Sequence, residues 1–362
     1  MNEKLFSLIG ILAKNHSLSL DEYEYLIVNR CDEAAKLLAE QADSIRKKIY
    51  GNAVYIRGLI EISNICKNDC LYCGIRRSNR HCGRYRLSPE QILNCVDEGY
   101  TLGFRTFVFQ GGEDFFWGDD ILCKLIGRIK EKHGDCAVTL SLGERSRESY
   151  ERLYRAGADR YLLRHETADR EHYRRLHPED MSFENRMRCL WELQDIGYQV
   201  GCGFMVGSPF QSCAFLAEDL KFIETFRPDM CGIGPFIPHR DTPFKGYSPG
   251  TVELTCYLLS MIRLIHPPVL LPATTALGTI HPRGREMGIM AGANVVMPNL
   301  SPADVRKKYE LYNNKICMNE EAAEGKAMLE QRMRTIGYEI VTERGDIKQP
   351  AAAQCFSGHA DL

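Results

Sequence analysis

From about residue 51 to residue 300 the chain repeats one rhythm: a short run rich in branched or apolar residues, a polar loop, then a longer segment of helical period. The candidate strands fall at 54–63, 106–112, 137–143, 160–166, 200–207, 230–237, 269–275 and 294–299. The intervening segments have helix starts of the expected chemistry, such as Ser88-Pro89-Glu90 and Ser182 with Glu184, and several end at a glycine, as at Gly103, Gly157 and Gly197. Strands alternating with helices over this length predict an α/β fold, a (β/α)8 TIM barrel. A doubly wound open sheet has the same alternation. What separates the two is where the uncommon polar residues lie. They follow nearly every strand ("CKNDCLYC", "QGGED", "GE", "RHET", "PHRDTP", "TTALGT", "MPN"), whereas an open sheet gathers its site at one switch point. The expected organisation is an N-terminal helical segment (1–50), the barrel (51–316) and a C-terminal helical extension with a tail (317–362), its end expected to be mobile.

At 362 residues and 44% hydrophobic content the chain can bury a large core. A net charge of -2, with mixed signs along the chain, advertises no nucleic-acid partner. The start, "MNEKLFSLIGILAKNH", lacks the basic opening and cleavage site of a signal peptide, and no apolar run reaches the roughly 18 residues of a membrane span. A cytoplasmic protein without a membrane partner is expected. In that setting most of the 15 cysteines, Cys95, Cys123, Cys189 and Cys256 among them, read as small buried hydrophobes.

Three cysteines read differently. Cys66, Cys70 and Cys73 form C-x3-C-x2-C after the first strand, a spacing that lets three thiolates point inward from one loop. Four cysteines usually hold a 4Fe-4S cluster; three leave one iron open to another ligand. A zinc site completed by His81 or Cys82 is an alternative reading of the same spacing, and three unrelated thiols is another. In "QGGED", Gly111 and Gly112 allow close backbone approach to a ligand and Glu113 suits an ammonium group. In "LLRHET", strand alternation sends Arg164 and Glu166 to one face and His165 to the other; if that face is the lumen, a charged pair sits in the barrel mouth, either as a salt bridge or toward a ligand. Met205, Thr274 and Thr275 sit at strand ends, where they fill space, cap a loop or line a site.

With these residues in place, the cysteine loop with Tyr72 in its second spacer, followed by "GGE", resembles the radical S-adenosylmethionine (SAM) superfamily. The resemblance implies one 4Fe-4S cluster on Cys66, Cys70 and Cys73, with the amine and carboxylate of SAM on the open iron. It implies a SAM site at Tyr72, Gln110, Gly111, Gly112, Glu113, Glu166, Arg186 and Met205, with Glu166 toward the ribose or amino-acid part and Arg186 toward the carboxylate. Longer strings, from "TLSLGE" through "PATTALGT" to "YELYNNKIC", resemble the branch that matures FeFe-hydrogenase. That branch implies an organometallic substrate, a cysteine-bound iron carrying carbon monoxide and cyanide, whose cysteine sulfur is attacked by a 5'-deoxyadenosyl radical. It also implies the companion maturases HydG and HydF, and a substrate cavity at Arg164, Thr274, Thr275, Met297, Tyr309 and Tyr312. Many members carry a second cluster on three cysteines beginning in the "KIC" motif; here Cys317 is followed by Gly325 and Met328 at the matching positions, so one cluster is expected. The biotin synthase and methylornithine synthase branch, acting on an amino acid or small organic substrate, shares the loop and the barrel. A scaffold protein with a purely structural metal is the alternative outside enzymes.

Overall fold

The computed structural model describes residues 3–316 and 322–348. The run expected as a single first strand divides at Arg57 into β1 (Ala53–Ile56) and β2 (Gly58–Ser63), because its halves have different neighbours. β2 opens a parallel sheet that continues through β3 (Thr106–Gly111), β4 (Ala137–Ser141), β5 (Arg160–Leu162) and β6 (Gln199–Cys202). A two-residue β7 (Met205–Val206) follows β6, while β8 (Met230–Cys231) completes the sheet and is continued by β9 (Gly234–Pro235), which pairs with β7.

The expected seventh strand, 269–275, forms no ladder. Leu270 bridges Met230 and Pro272 bridges Val295 singly; Pro272 has no amide hydrogen with which to extend the pairing. The same punctuation cuts the expected sixth strand, where Gly232 separates β8 from β9. These bridges nevertheless carry the ring onward to β10 (Val295–Val296), which pairs with β1, and Asn299 bridges Leu59. All eight expected positions therefore join in one parallel ring, confirming the (β/α)8 architecture while shortening its later strands.

Helices cover the outside. Pro89–Thr101 begins at Ser88 in a reciprocal capping box with Gln91, and Phe183–Ile196 begins at Ser182, which accepts from the Asn185 amide. The N-terminal helices Glu3–Asn15, Leu20–Val28 and Asp32–Tyr50 pack on the outer helices Cys213–Phe226 and Val252–Ile265. Tyr23 donates to Glu224 at 2.6 Å and Tyr257 to the Leu26 carbonyl at 2.9 Å. One continuous apolar core runs from Leu5 to Tyr338. Among the described residues no helix is long and apolar enough to cross a membrane.

The C-terminal extension departs from expectation. After the helix Ala322–Thr335 the chain adds β11 (Glu339–Val341) to the free side of β1. Residues 342–348 then cross the N-terminal mouth of the barrel. There the buried Arg160 donates to the Arg344 carbonyl at 2.9 Å and to Asp346 at 2.6 Å, Thr106 donates to the Arg344 carbonyl at 2.7 Å, and Gln199 donates to Asp346 at 2.8 Å. The segment is a floor. Residues 349–362, expected to be mobile at their end, lie outside the described residues, as does Cys317.

Burial by itself would raise the Asp346 carboxyl, but hydrogen bonding from Arg344 and the charge of Arg160 hold it well below the usual carboxylate range. A depressed carboxyl contributes stability above its unfolded value, near 3.9, and loses it as pH falls toward the folded value. Asp346→Ala is therefore expected to cost about 1.5 kcal/mol at pH 7, discounted for partial exposure, with the deficit shrinking as pH falls from about 5 toward 2. Denaturant melts of both proteins across that range check it; a deficit independent of pH would contradict the assignment.

Candidate active site

The ring leaves a cavity of about 360 Å³ opening at the C-terminal ends of the strands. Every residue expected at a site, from Cys66 to Tyr312, lines this one cavity.

The cysteine loop leaves β2 and is stapled to itself. Arg84 donates to the carbonyls of Asn64, Ile75 and Arg76 at 2.6, 2.8 and 2.6 Å, and Arg76 donates to Asp69 at 2.7 Å. Gly112 serves this loop more directly than a ligand: a Cβ there would lie 2.3 Å from the Ile65 carbonyl and 2.7 Å from the Cys66 Cβ. The neighbouring Glu113 amide then reaches the Cys66 Sγ at 3.4 Å. Burial raises the thiols of Cys66, Cys70 and Cys73, and negative charge on a neighbouring cysteine raises the last two further, Cys73 to about 12. Three half-buried thiols with raised pKa values on one loop ionise together only against strong positive charge, which the irons of a cluster supply. The donor set fits the cluster.

Neither expected zinc partner joins it. The His81 ring pairs with Asp241 at 3.1 Å, and the Cys82 Sγ points to the Lys308 carbonyl. Among the described residues no three His, Cys, Asp or Glu side chains converge to hold a single ion; a cubic cluster spreads its ligands wider.

Around the thiols each side chain is held from behind. The His177 Nδ1 donates to the Tyr173 carbonyl at 2.9 Å, so its Nε2 accepts the Tyr72 hydroxyl at 3.2 Å. Gly143, with φ of 76°, leaves the space that Glu113 fills; a Cβ there would lie 2.0 Å from Glu113 Cγ. Arg186 donates to Glu144 at 2.5 Å and to the Arg164 carbonyl at 2.6 Å. The expectation for "RHET" holds in outcome: Arg164 and Glu166 face the cavity with Nη2 and Oε2 3.3 Å apart, and His165 is buried behind them against Asp219. Simple strand alternation is not the cause, because β5 ends at Leu162 and Glu166 turns inward with φ of 67°, a costly region for a residue with a side chain. Although close in charge, Arg164 Nη2 and Glu166 Oε2 are not aligned for a hydrogen bond, and neither has another partner. Such buried orphans are what a bound ligand satisfies.

The far wall carries Thr274, whose buried hydroxyl is also without a partner, then Thr275, Met297, Tyr309 and Tyr312. Tyr309 accepts from Gln110 at 3.3 Å, and burial keeps its phenol neutral. Three charged lining residues escaped sequence reasoning. Glu61, in the apolar strand β2, is fully buried against Lys315, with Asn299 donating to its other oxygen at 2.9 Å. Lys315 also donates to the Tyr309 carbonyl at 2.9 Å. Arg57 lies at the bottom of the cavity against Met230 Sδ, its Nε unbonded. A lone glutamate in an apolar strand was a readable signal; Lys315 offered none.

A closed parallel ring with three cavity-facing thiols on the loop after its first strand defines the radical SAM class, and the Radical SAM superfamily model matches residues 60–223. The chain is 48% identical over 283 residues to the [FeFe] hydrogenase maturase subunit HydE of Thermotoga maritima, covering 78% of this chain and 80% of that one. It belongs to the HydE family of radical SAM enzymes, which work with a 4Fe-4S cluster and SAM. It is also 28% identical to 3-methylornithine synthase of Methanosarcina barkeri over 80% of this chain and 81% of that one. The crystal structure of methylornithine synthase superposes with a TM-score of 0.81 at 25% identity, over 92% of this chain and 97% of that one.

Glu166 offers a separation of strain from function. Glu166→Gly is expected to raise stability by about 1 kcal/mol, by relieving the left-handed backbone, while weakening SAM binding at least tenfold. Melting curves and calorimetric titration of the reconstituted protein check both halves.

Proposed function

We propose that this chain is an FeFe-hydrogenase maturase whose substrate is an iron–carbonyl–cyanide complex of cysteine, supplied by HydG and passed toward HydF. The observation that carries the reading is a set of unsatisfied donor atoms lining the cavity, Nε and Nη2 of Arg164, the Thr274 hydroxyl and Nε of Arg57. An anionic cyanide complex needs such groups, and 48% identity to a HydE supports the same class of reaction for this chain.

Cys66, Cys70 and Cys73 would hold the cluster, with Tyr72, Gln110, Gly111, Gly112, Glu113, Glu166, Arg186 and Met205 around SAM. When bound, these cofactors supply a 5'-deoxyadenosyl radical able to attack the cysteine sulfur of the substrate. The residues of the chain do the positioning. Arg186, fixed by Glu144, presents one face of its guanidinium to a carboxylate; Glu166, held inward by its backbone, presents a carboxylate to a ribose or ammonium. Arg164 and the Thr274 and Thr275 hydroxyls bind the cyanide and carboxylate ends of the substrate, Met297 and Tyr312 shape its pocket, and Tyr309 closes it above Gln110. The floor of residues 342–348 excludes water from below. The oxygen-sensitive cluster suits a reducing cytoplasm.

The likeness to methylornithine synthase supports a second reading, an amino-acid substrate in the same cavity. The two part in one assay. Anaerobically reconstituted protein is expected to consume the iron complex in a SAM-dependent reaction; failure alongside methylornithine formation from lysine would overturn the first reading. Arg164→Met is expected to lower turnover of the complex at least a hundredfold while 5'-deoxyadenosine still forms without coupling. Cys70→Ser is expected to abolish both, with iron content falling.

A further inference from the structure

The outer side of the cysteine loop differs from the rest of the surface in two respects. In a chain of net charge -2, residues 67–86 carry Lys67, Arg76, Arg77, Arg80, Arg84 and Arg86 against the single acid Asp69. Beside them stands Phe115, 83% exposed, the most exposed large apolar side chain among the described residues, next to Phe116 at 44%. The features form one patch. Lys67 Nζ lies 5.4 Å from the Phe115 ring centre, the Arg86 guanidinium lies 5.1 Å from that of Phe116, and the Arg77 amide donates to the Asn68 carbonyl at 2.8 Å. Several cations are already engaged: Lys67 with Glu113, Arg76 with Asp69, Arg86 with Asp114 and Arg84 with backbone carbonyls. Arg77 and Arg80 are exposed, and among the described residues no carboxylate pairs with either.

The patch lies directly outside Cys66. Lys67 follows it in sequence, the Glu113 amide touches its Sγ at 3.4 Å, and Phe115 is two residues further on. Each reductive cleavage of SAM consumes one electron that must enter from outside, and the cavity holds no group able to supply it. An exposed apolar side chain on the same side as the uncompensated cations Arg77 and Arg80, in a loop of six cations against one acid, is a surface that a small acidic protein finds by electrostatic steering, and electron-transfer encounters use small, weak interfaces.

We propose that this patch docks an acidic one-electron carrier protein, which reduces the cluster through the Cys66 side. In the step the reduced carrier loses one electron and the cluster gains one, passing from its 2+ to its 1+ state; no proton or group is transferred. The proposal rests on the cluster assignment made above and goes beyond it in locating the route of reduction.

The test uses reconstituted holoenzyme with an acidic flavodoxin as probe, comparing the wild type with Arg77→Glu/Arg80→Glu and with Phe115→Ser, all at exposed positions away from the cavity. Affinity for oxidised flavodoxin is read by calorimetry at low and high salt. Cluster reduction by flavodoxin hydroquinone is followed by bleaching of the cluster's visible absorption, and excess dithionite is the carrier-free control. Wild-type binding is expected to weaken with salt. The double variant is expected to bind at least tenfold more weakly and to be reduced at least tenfold more slowly by flavodoxin, with unchanged melting temperature, dithionite reduction and deoxyadenosine yield. Phe115→Ser is expected to lose affinity at both salt concentrations. Flavodoxin affinity and reduction rate equal to wild type would overturn the proposal, as would a change in oligomeric mass with the flavodoxin rate unaltered, which would assign the patch to self-association. Absence of deoxyadenosine with dithionite in the wild type would instead sink the radical-enzyme reading, while binding of oxidised flavodoxin would still report on the patch.

Discussion

Closure of the ring on its first strand is the constraint on which the rest depends. Residues 53–63 satisfy their backbone groups against three separate partners: β10 with the bridge at Asn299 on one side, and β11 below β3 on the other. The strand that starts the barrel is thus fixed by segments from opposite ends of the chain. Its upper end launches the cysteine loop, so the thiols inherit their position from the most constrained strand of the ring.

The interior that results is unusually charged for a barrel core. Arg57, Glu61, Arg164, Glu166 and Lys315 all face one cavity. Burying such groups is costly unless they are paired or satisfied by a ligand. The structure divides them accordingly. Glu61 and Lys315 satisfy each other and pin the segment carrying Tyr309 and Tyr312, a structural use of charge. Arg164 and Glu166 remain imperfectly matched, and Arg57 keeps an unbonded nitrogen. Incompletely satisfied charge beside three thiols marks the part of the core built to receive something.

How much of this could be read from the chain depended on whether the signal was local. C-x3-C-x2-C, "GGED" and "RHET" are short strings at strand ends, and each contributes residues to the cavity, the three cysteines, Gly111 to Glu113, and Arg164 with Glu166. The later strands were overestimated because Gly232 and Pro272 interrupt runs whose composition still looks strand-like. Lys315 was invisible because its partner Glu61 lies 254 positions away, joined only when the ring closes. Gly112 lines the cavity, as a residue expected to let a ligand approach closely would, and its missing side chain also makes room for the loop beside it. The floor was missed for a similar reason: "YEIV" alternates weakly, and nothing near it announces that Asp346 will meet Arg160 across the barrel.

That floor also orders events during synthesis. The ring's first strand leaves the ribosome long before residues 339–348, so until the last part of the described chain emerges the nascent barrel is a tube with its lower end uncapped. Sealing is a late step, performed by a segment that contributes no ligand to the cysteine loop at the other end. A cut or frameshift just upstream of β11 would remove both this seal and one partner of the ring's first strand, opening the lumen to water from the end opposite the cysteine loop.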